Sequence, residues 1–196
     1  MFRLTRPSAD EVAAFLASRR GAPFSYADVG ATRAGVVPAG YVADRTRVRL
    51  GTGRDAYVAA VAALRAWRMT TLGWATLHPA GAALAPGVEV AMVVRHLGVW
   101  SVNPCRLVYV DDDEVADGIR RTAFAYGTLP SHAAAGEERF AVEWDAADDA
   151  VWYDLSAFSR PAHPLVRLGR PFARRLQRRF ARDSAAAMVA AVGGAR

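Results

Sequence analysis

Between Val88 and Phe158 the chain places five apolar-rich segments in close succession, at residues 88–95, 105–111, 119–126, 138–145 and 151–158. Only short clusters of Gly, Pro, Asn or Asp separate them. The clearest alternation sets Phe140, Val142 and Trp144 against Arg139 and Glu143, the period of a half-buried strand. Gaps this short cannot hold the crossover of a dozen or more residues that parallel neighbours need, so the segments predict antiparallel hairpins. The apolar face of such a sheet has to be covered by something.

The C-terminal stretch offers the cover. From Arg160 to Arg196 there are nine arginines and one acid, Asp183, so this stretch carries +8 against +6 for the whole chain. Leu165, Leu168, Phe172, Leu176 and Phe180 recur three or four residues apart, which predicts a helix over residues 164–191 with its arginines mostly opposite the apolar stripe. A membrane-surface helix needs that stripe free. A nucleic-acid surface needs exposed aromatics or base-reading groups between the charges. Here the sheet needs the stripe, so the arginine face reads first as a solvated lid. Contact with an anionic surface through Arg174, Arg175, Arg178 and Arg182 comes second, and specific nucleic-acid binding is not expected. All 25 basic residues are arginine, and with so much Ala, Gly and Val this reads as codon bias.

Towards the N-terminus, Ser8 and Glu11 form a capping box for a helix over residues 9–20. Residues 21–40 read as irregular. At residues 41–50, Thr46, Val48 and Leu50 alternate with Arg45, Arg47 and Arg49 as a half-buried strand. Gly51-Thr-Gly-Arg-Asp55 breaks it, a helix follows to about Met69, and residues 70–87 read as a loop. The 196 residues fit one domain: residues 1–40 are an N-terminal helix with an irregular segment, and 41–196 are sheet and C-terminal helix. The fold class is α+β, a curved antiparallel sheet packed around a long C-terminal helix with an extra N-terminal helix. This order resembles the helix-grip fold of the START and Bet v 1-like superfamily. With no signal-peptide run and no window of about 20 apolar residues, a cytoplasmic location without transmembrane segments is expected.

Several stretches carry a closer likeness: Val29-Gly-Ala-Thr-Arg33 followed by Pro38-Ala-Gly-Tyr41, Trp100-Ser-Val-Asn-Pro-Cys-Arg-Leu-Val-Tyr-Val110, and Phe124-Ala-Tyr-Gly-Thr-Leu-Pro-Ser-His132 continuing to Gly136-Glu-Glu-Arg-Phe140. Ala157-Phe-Ser-Arg-Pro-Ala162 adds to them. Together they resemble uncharacterised protein family 0548, a domain-of-unknown-function family of bacteria and plants. Ser131 stands where that family usually has glycine, and Ala133-Ala134 replace a common Pro-Glu, which argues against chemistry at that position. The resemblance implies no activity.

The loop after Tyr126 gathers a candidate acid–base set: Tyr126, His132, Glu137 and Glu138. Against it stands the plainer reading of a hairpin loop shaped by Gly127 and Pro130, its glutamates in water or paired with arginine; this one weighs more. His78, His96, His132 and His163 lie far apart, and Asp111–Glu114 with Asp117 lacks the spacing of a calcium loop. Cys105 is alone, and phosphate-binding or dinucleotide fingerprints are absent from the sequence. No metal or cofactor is implied. Trp67, Trp74, Trp100, Tyr109, Tyr126, Phe158 and Phe172 would line a cavity if the sheet curves strongly. Three functions remain open. The first is binding of a small hydrophobic or amphipathic molecule between sheet and C-terminal helix. The second is a cyclase- or hydrolase-like enzyme on the same scaffold, and the third an interaction module using the arginine face.

Overall fold

The alternating segments form one antiparallel sheet of eight strands in the computed structural model, which describes residues 2–162 and 169–194. The strands are β1 (Phe2–Arg3), β2 (Val42–Thr52), β3 (Ala75–His78), β4 (Glu89–His96), β5 (Val99–Ala116), β6 (Ile119–Thr128), β7 (Ala134–Asp145) and β8 (Ala150–Pro161). Their order across the sheet is β2-β8-β7-β6-β5-β4-β3, with β1 paired to the start of β5. Register shifts after Arg49, Leu107 and Asp111 mark bulges. Bulges bend strands and increase their twist, and the sheet curves into a trough.

Three helices complete the described chain: α1 (Ala9–Ala17), α2 (Gly53–Arg65) and α3 (Arg170–Gly193). The Ser8–Glu11 capping box is present, with Ser8 Oγ accepting the Glu11 amide at 3.1 Å and Glu11 Oε2 accepting the Ser8 amide at 2.8 Å. α1 lies on the convex face, where Val12 and Leu16 pack on Ala91, Val93 and Val102. α2 and α3 lie in the concave face. There Tyr57, Leu64 and Trp67 meet Phe124, Phe140, Val142 and Tyr153 in the main core.

Two parts of the helix prediction shift. α1 stops at Ala17 rather than residue 20. α2 stops at Arg65, because Trp67 adopts a left-handed backbone (φ 55°) and starts a short 3₁₀ turn. The expected loop at 70–87 contains β3, whose four residues pair with the β4 edge; a run so short between Gly73 and Pro79 carries too little pattern to be read in advance. The expected helix start at residue 164, with Leu165 and Leu168, lies outside the described residues.

α3 divides in two. In its C-terminal half Ala185, Met188 and Val192 are buried, and Ser184 Oγ lies 2.7 Å from Tyr153 Oη. Its N-terminal half carries Phe172, Leu176 and Phe180, none of them fully buried. The half that anchors the helix is therefore not the half that bears the aromatic stripe. Met188→Ala should lower unfolding free energy by about 2–5 kcal/mol in a denaturant titration. Val189→Ala, one residue on and 40% exposed, should change it by less than about 0.5 kcal/mol.

Candidate functional site

Under the N-terminal half of α3 lies a cleft of about 1190 Å³. Its walls are mainly apolar: Met92 and Val94 of β4, Leu155 and Ala157 of β8, with Phe172, Leu176 and Phe180 above and Trp74 at the side. Polar groups gather towards the β6–β7 connection, where Tyr126, His132, Glu138 and Asp44 also line it.

Strand register explains which side chains arrive there. Tyr126 pairs with Glu138, Glu138 with Ala157, and Ala157 with Asp44, so these four point to the concave face as one row. The next row, Gly127, Glu137, Phe158 and Ala43, points the other way. Two adjacent glutamates therefore have opposite surroundings.

Tyr126 Oη donates to Glu138 Oε2 at 2.5 Å. Among the described residues nothing donates to the other carboxyl oxygen. Burial pushes the Glu138 carboxyl up to about 7; the Tyr126 hydrogen bond pulls against this, and the Asp44 charge adds to it. Burial and the neighbouring Glu138 hold the Tyr126 hydroxyl well above its ordinary value. Burial also pushes His132 down to about 4, so its ring is uncharged at neutral pH, with Nδ1 3.0 Å from the Ala134 amide nitrogen. Asp44 is held by Arg174, whose Nη2 donates to Oδ1 at 2.6 Å. Arg174 Nη1 also reaches Gln177 Oε1 at 3.1 Å, and Gln177 Nε2 donates to Ser159 Oγ at 2.9 Å. That chain of bonds ties the roof of the cleft to β2 and β8.

Glu137 is buried on the convex face beneath the irregular segment. Its Oε2 accepts from Tyr26 Oη at 2.6 Å and from the Gly30 amide at 2.7 Å. Its Oε1 accepts from the Thr32 amide at 3.0 Å and from the Thr32 hydroxyl. Gly127 belongs to β6 rather than to a turn, and a methyl group there would overlap Tyr26. Glu137 is thus the clamp that fixes the 24–33 segment on the sheet.

Of the acid–base set, then, all four residues border the cleft, but the Glu137 carboxylate is engaged on the convex face by Tyr26, Gly30 and Thr32. Of the aromatic set, Trp74, Tyr126, Phe158 and Phe172 line it. Phe158 sits in a wall strand, but its ring packs against Tyr26 and Tyr41 on the convex face. Trp67 is buried in the core with Nε1 donating to Ala82 O at 2.8 Å. Trp100 packs with α1 on the convex face. Tyr109 is carried there by the bulge after Leu107, and its hydroxyl lies 2.9 Å from Thr32 Oγ1. Simple alternation would have left Leu107 and Tyr109 on one face.

Among the arginines of α3, Arg174 is paired with Asp44, and Arg179 and Arg182 with Asp183. Arg175 and Arg178 are exposed. The acidic run is engaged elsewhere: Asp111 with Arg33, Asp112 with Arg65 at 2.5 Å, Asp113 with Arg120 at 2.8 Å. Sequence reasoning passed over Asp44, although an acid among the inward positions Val42, Thr46, Val48 and Leu50 was the available signal. Among the described residues no group of three His, Cys, Asp or Glu side chains is placed to hold a metal, and no helix is long and apolar enough to cross a membrane.

Residues 25–187 match the family described as a domain of unknown function, DUF1990. The chain belongs to that family. A UPF0548 protein of Deinococcus radiodurans is 40% identical over 98% of this chain and 100% of its own length. One from Dictyostelium discoideum is 32% identical over 98% and 96%. Among solved structures, TTHA0849 from Thermus thermophilus aligns with TM-score 0.56 at 12% identity, over 79% of this chain and 99% of that one. The Zhui aromatase/cyclase from a Streptomyces species aligns with TM-score 0.51 at 11% identity, over 78% and 94%. At such identities the likeness is one of fold, and the DUF1990 chain shares their helix-grip arrangement.

The two glutamates of this DUF1990 chain should separate cleanly in thermal or chemical unfolding. Glu137→Ala leaves buried donors without an acceptor and should cost about 2–4 kcal/mol. Glu138 behaves oppositely, because its folded pKa is raised from 4.5 to about 7. Its contribution is full below pH 4.5 and is lost as pH rises through 7. Glu138→Gln should therefore match the wild type at pH 4 and be the more stable of the two at pH 8.

Proposed function

We propose that this chain is a single domain that binds a small hydrophobic or amphipathic molecule in the cleft between the sheet and α3. One observation carries the reading: Phe172, Leu176 and Phe180 of the N-terminal half of α3 line a cavity of about 1190 Å³, and of the three only Phe180 also packs against the main core. Pockets of roughly 300–1,000 Å³ hold small organic ligands, and this one has that scale. Apolar walls gain about 25 cal/mol for each Å² a ligand removes from water. The polar end, with Tyr126 and Glu138, orients an amphipathic molecule.

A second reading draws on the same end of the cleft. A carboxyl that titrates near neutrality beside a tyrosine hydroxyl can both take and give a proton. The fold is shared with a protein named as an aromatase/cyclase. Acid–base chemistry on the bound molecule would use Glu138 and Tyr126, with His132 as a neutral hydrogen-bonding group. Binding comes first in either case.

The test is to fill the cleft. Ala157 lies in the floor, and Ala157→Trp should weaken uptake of the neutral fluorophore N-phenyl-1-naphthylamine by about tenfold or more, equal to 1.4 kcal/mol, with circular dichroism unchanged. Val58→Trp, on the exposed face of α2, should bind it like the wild type. Equal binding by all three proteins would place the probe outside the cleft and end this reading.

A further inference from the structure

We propose that the molecule bound in the cleft carries a protonated amine, and that the Glu138 carboxylate is its counter-charge. This rests on the cleft reading above.

The chain pairs its other sheltered acids with arginines or with several donors. Asp154 is bonded by Arg45 at 2.9 Å, Glu143 by Arg121 at 2.9 Å, Asp111 is paired with Arg33, and Asp44 with Arg174. Glu137 has no arginine but receives donors from Tyr26, Gly30 and Thr32. Removing a carboxylate from water is costly unless a cation or several donors compensate, and with 25 arginines the chain meets that requirement repeatedly. Glu138 is the exception among these acids: one tyrosine hydroxyl and, among the described residues, no cation.

The groups facing Glu138 do not supply one. From β6 comes Tyr126, from β5 Cys105, from β8 Tyr153. From β2 comes Asp44, whose charge is matched by Arg174 of α3. His132, in the β6–β7 connection, is held uncharged at neutral pH by burial. A ligand ammonium would satisfy the open carboxyl oxygen and give Glu138 the paired cation it lacks among the described residues. The aromatic side chains of Tyr126, Trp74, Phe172 and Phe180 line the same cleft, and aromatic faces attract cations. Arginines also line the cleft, but Arg45, Arg47, Arg174 and Arg182 are paired with Asp154, Glu143, Asp44 and Asp183, and neither Arg160 nor Arg178 bonds Glu138. A ligand carboxylate seated against Glu138 would be repelled.

Isothermal titration with decylammonium, 1-decanol and decanoate, below their aggregation limits, tests this. At pH 8 the wild type should bind decylammonium at least about tenfold more tightly than 1-decanol, and decanoate least. An alkylammonium stays charged across this range, as lysine does. Its affinity should therefore fall by about tenfold from pH 8 to pH 6 as Glu138 takes up a proton. Glu138→Gln should bring the amine to the level of the alcohol. Tyr126→Phe should keep the amine preference but move its pH midpoint upward, since the hydrogen bond that lowers the Glu138 pKa is gone. Decanoate binding as tightly as the amine, or a preference that survives Glu138→Gln, would overturn the amine proposal. If all three chains bind alike, the cleft reading stands and the amine falls; if none binds, both fall. Should Glu138→Gln not fold, the wild-type pH profile still decides.

Discussion

The arrangement depends on how α3 is attached. Met188 and Val192, with the Ser184–Tyr153 contact, fix the C-terminal half of the helix to the sheet. The helix is rigid along its length, so this anchorage also sets the height of the N-terminal half above the trough. Bulges in β2 and β5 curve the sheet away beneath it. The space that results is bounded by apolar side chains on both sides, and the Arg174–Asp44 pair, with Gln177 and Ser159, braces its open flank. An arginine that sequence alone would assign to a solvent-facing lid thus serves as a strut.

The second organising feature is the pleat at Glu137 and Glu138. One residue of register separates a carboxylate saturated by donors from one that has a single hydroxyl, and the pair uses both faces of the sheet for different ends. The outward glutamate holds the 24–33 segment in place through Tyr26, Gly30 and Thr32. The inward one gives the polar end of a mainly apolar cleft a group that changes charge near neutral pH. Burial with few donors favours the protonated form, and that cause is removable by a ligand.

Much of this was legible in the residues. Strict alternation at Phe140, Val142 and Trp144, short connections and the three-to-four spacing in α3 dictate an antiparallel sheet with a helical cover. The family likeness rested on segments that fall within the matched residues 25–187. The site was legible only in part. Tyr126, His132 and Glu138 could be named because they cluster in one stretch, but nothing local distinguishes Glu137 from Glu138 until the register is known. Tyr109 was misplaced by a bulge, Trp67 by a left-handed backbone, and Trp100 by the presence of α1 on the outer face. Each depends on contacts between segments distant in sequence, which periodicity does not report. The arginine-rich face divides in a way that net charge does not report: Arg174, Arg179 and Arg182 are paired, while Arg175 and Arg178 are exposed.

On this reading the space under the N-terminal half of α3 is a binding chamber. Methyl-resolved NMR during titration with an apolar ten-carbon ligand tests it most directly. Met92, Val94, Leu155 and Leu176, which line the cleft, should shift progressively, while the core methyls of Leu64 and Val142 should stay in place. Unshifted cleft methyls at saturating ligand, or shifts confined to the exposed faces of the helices, would contradict the account.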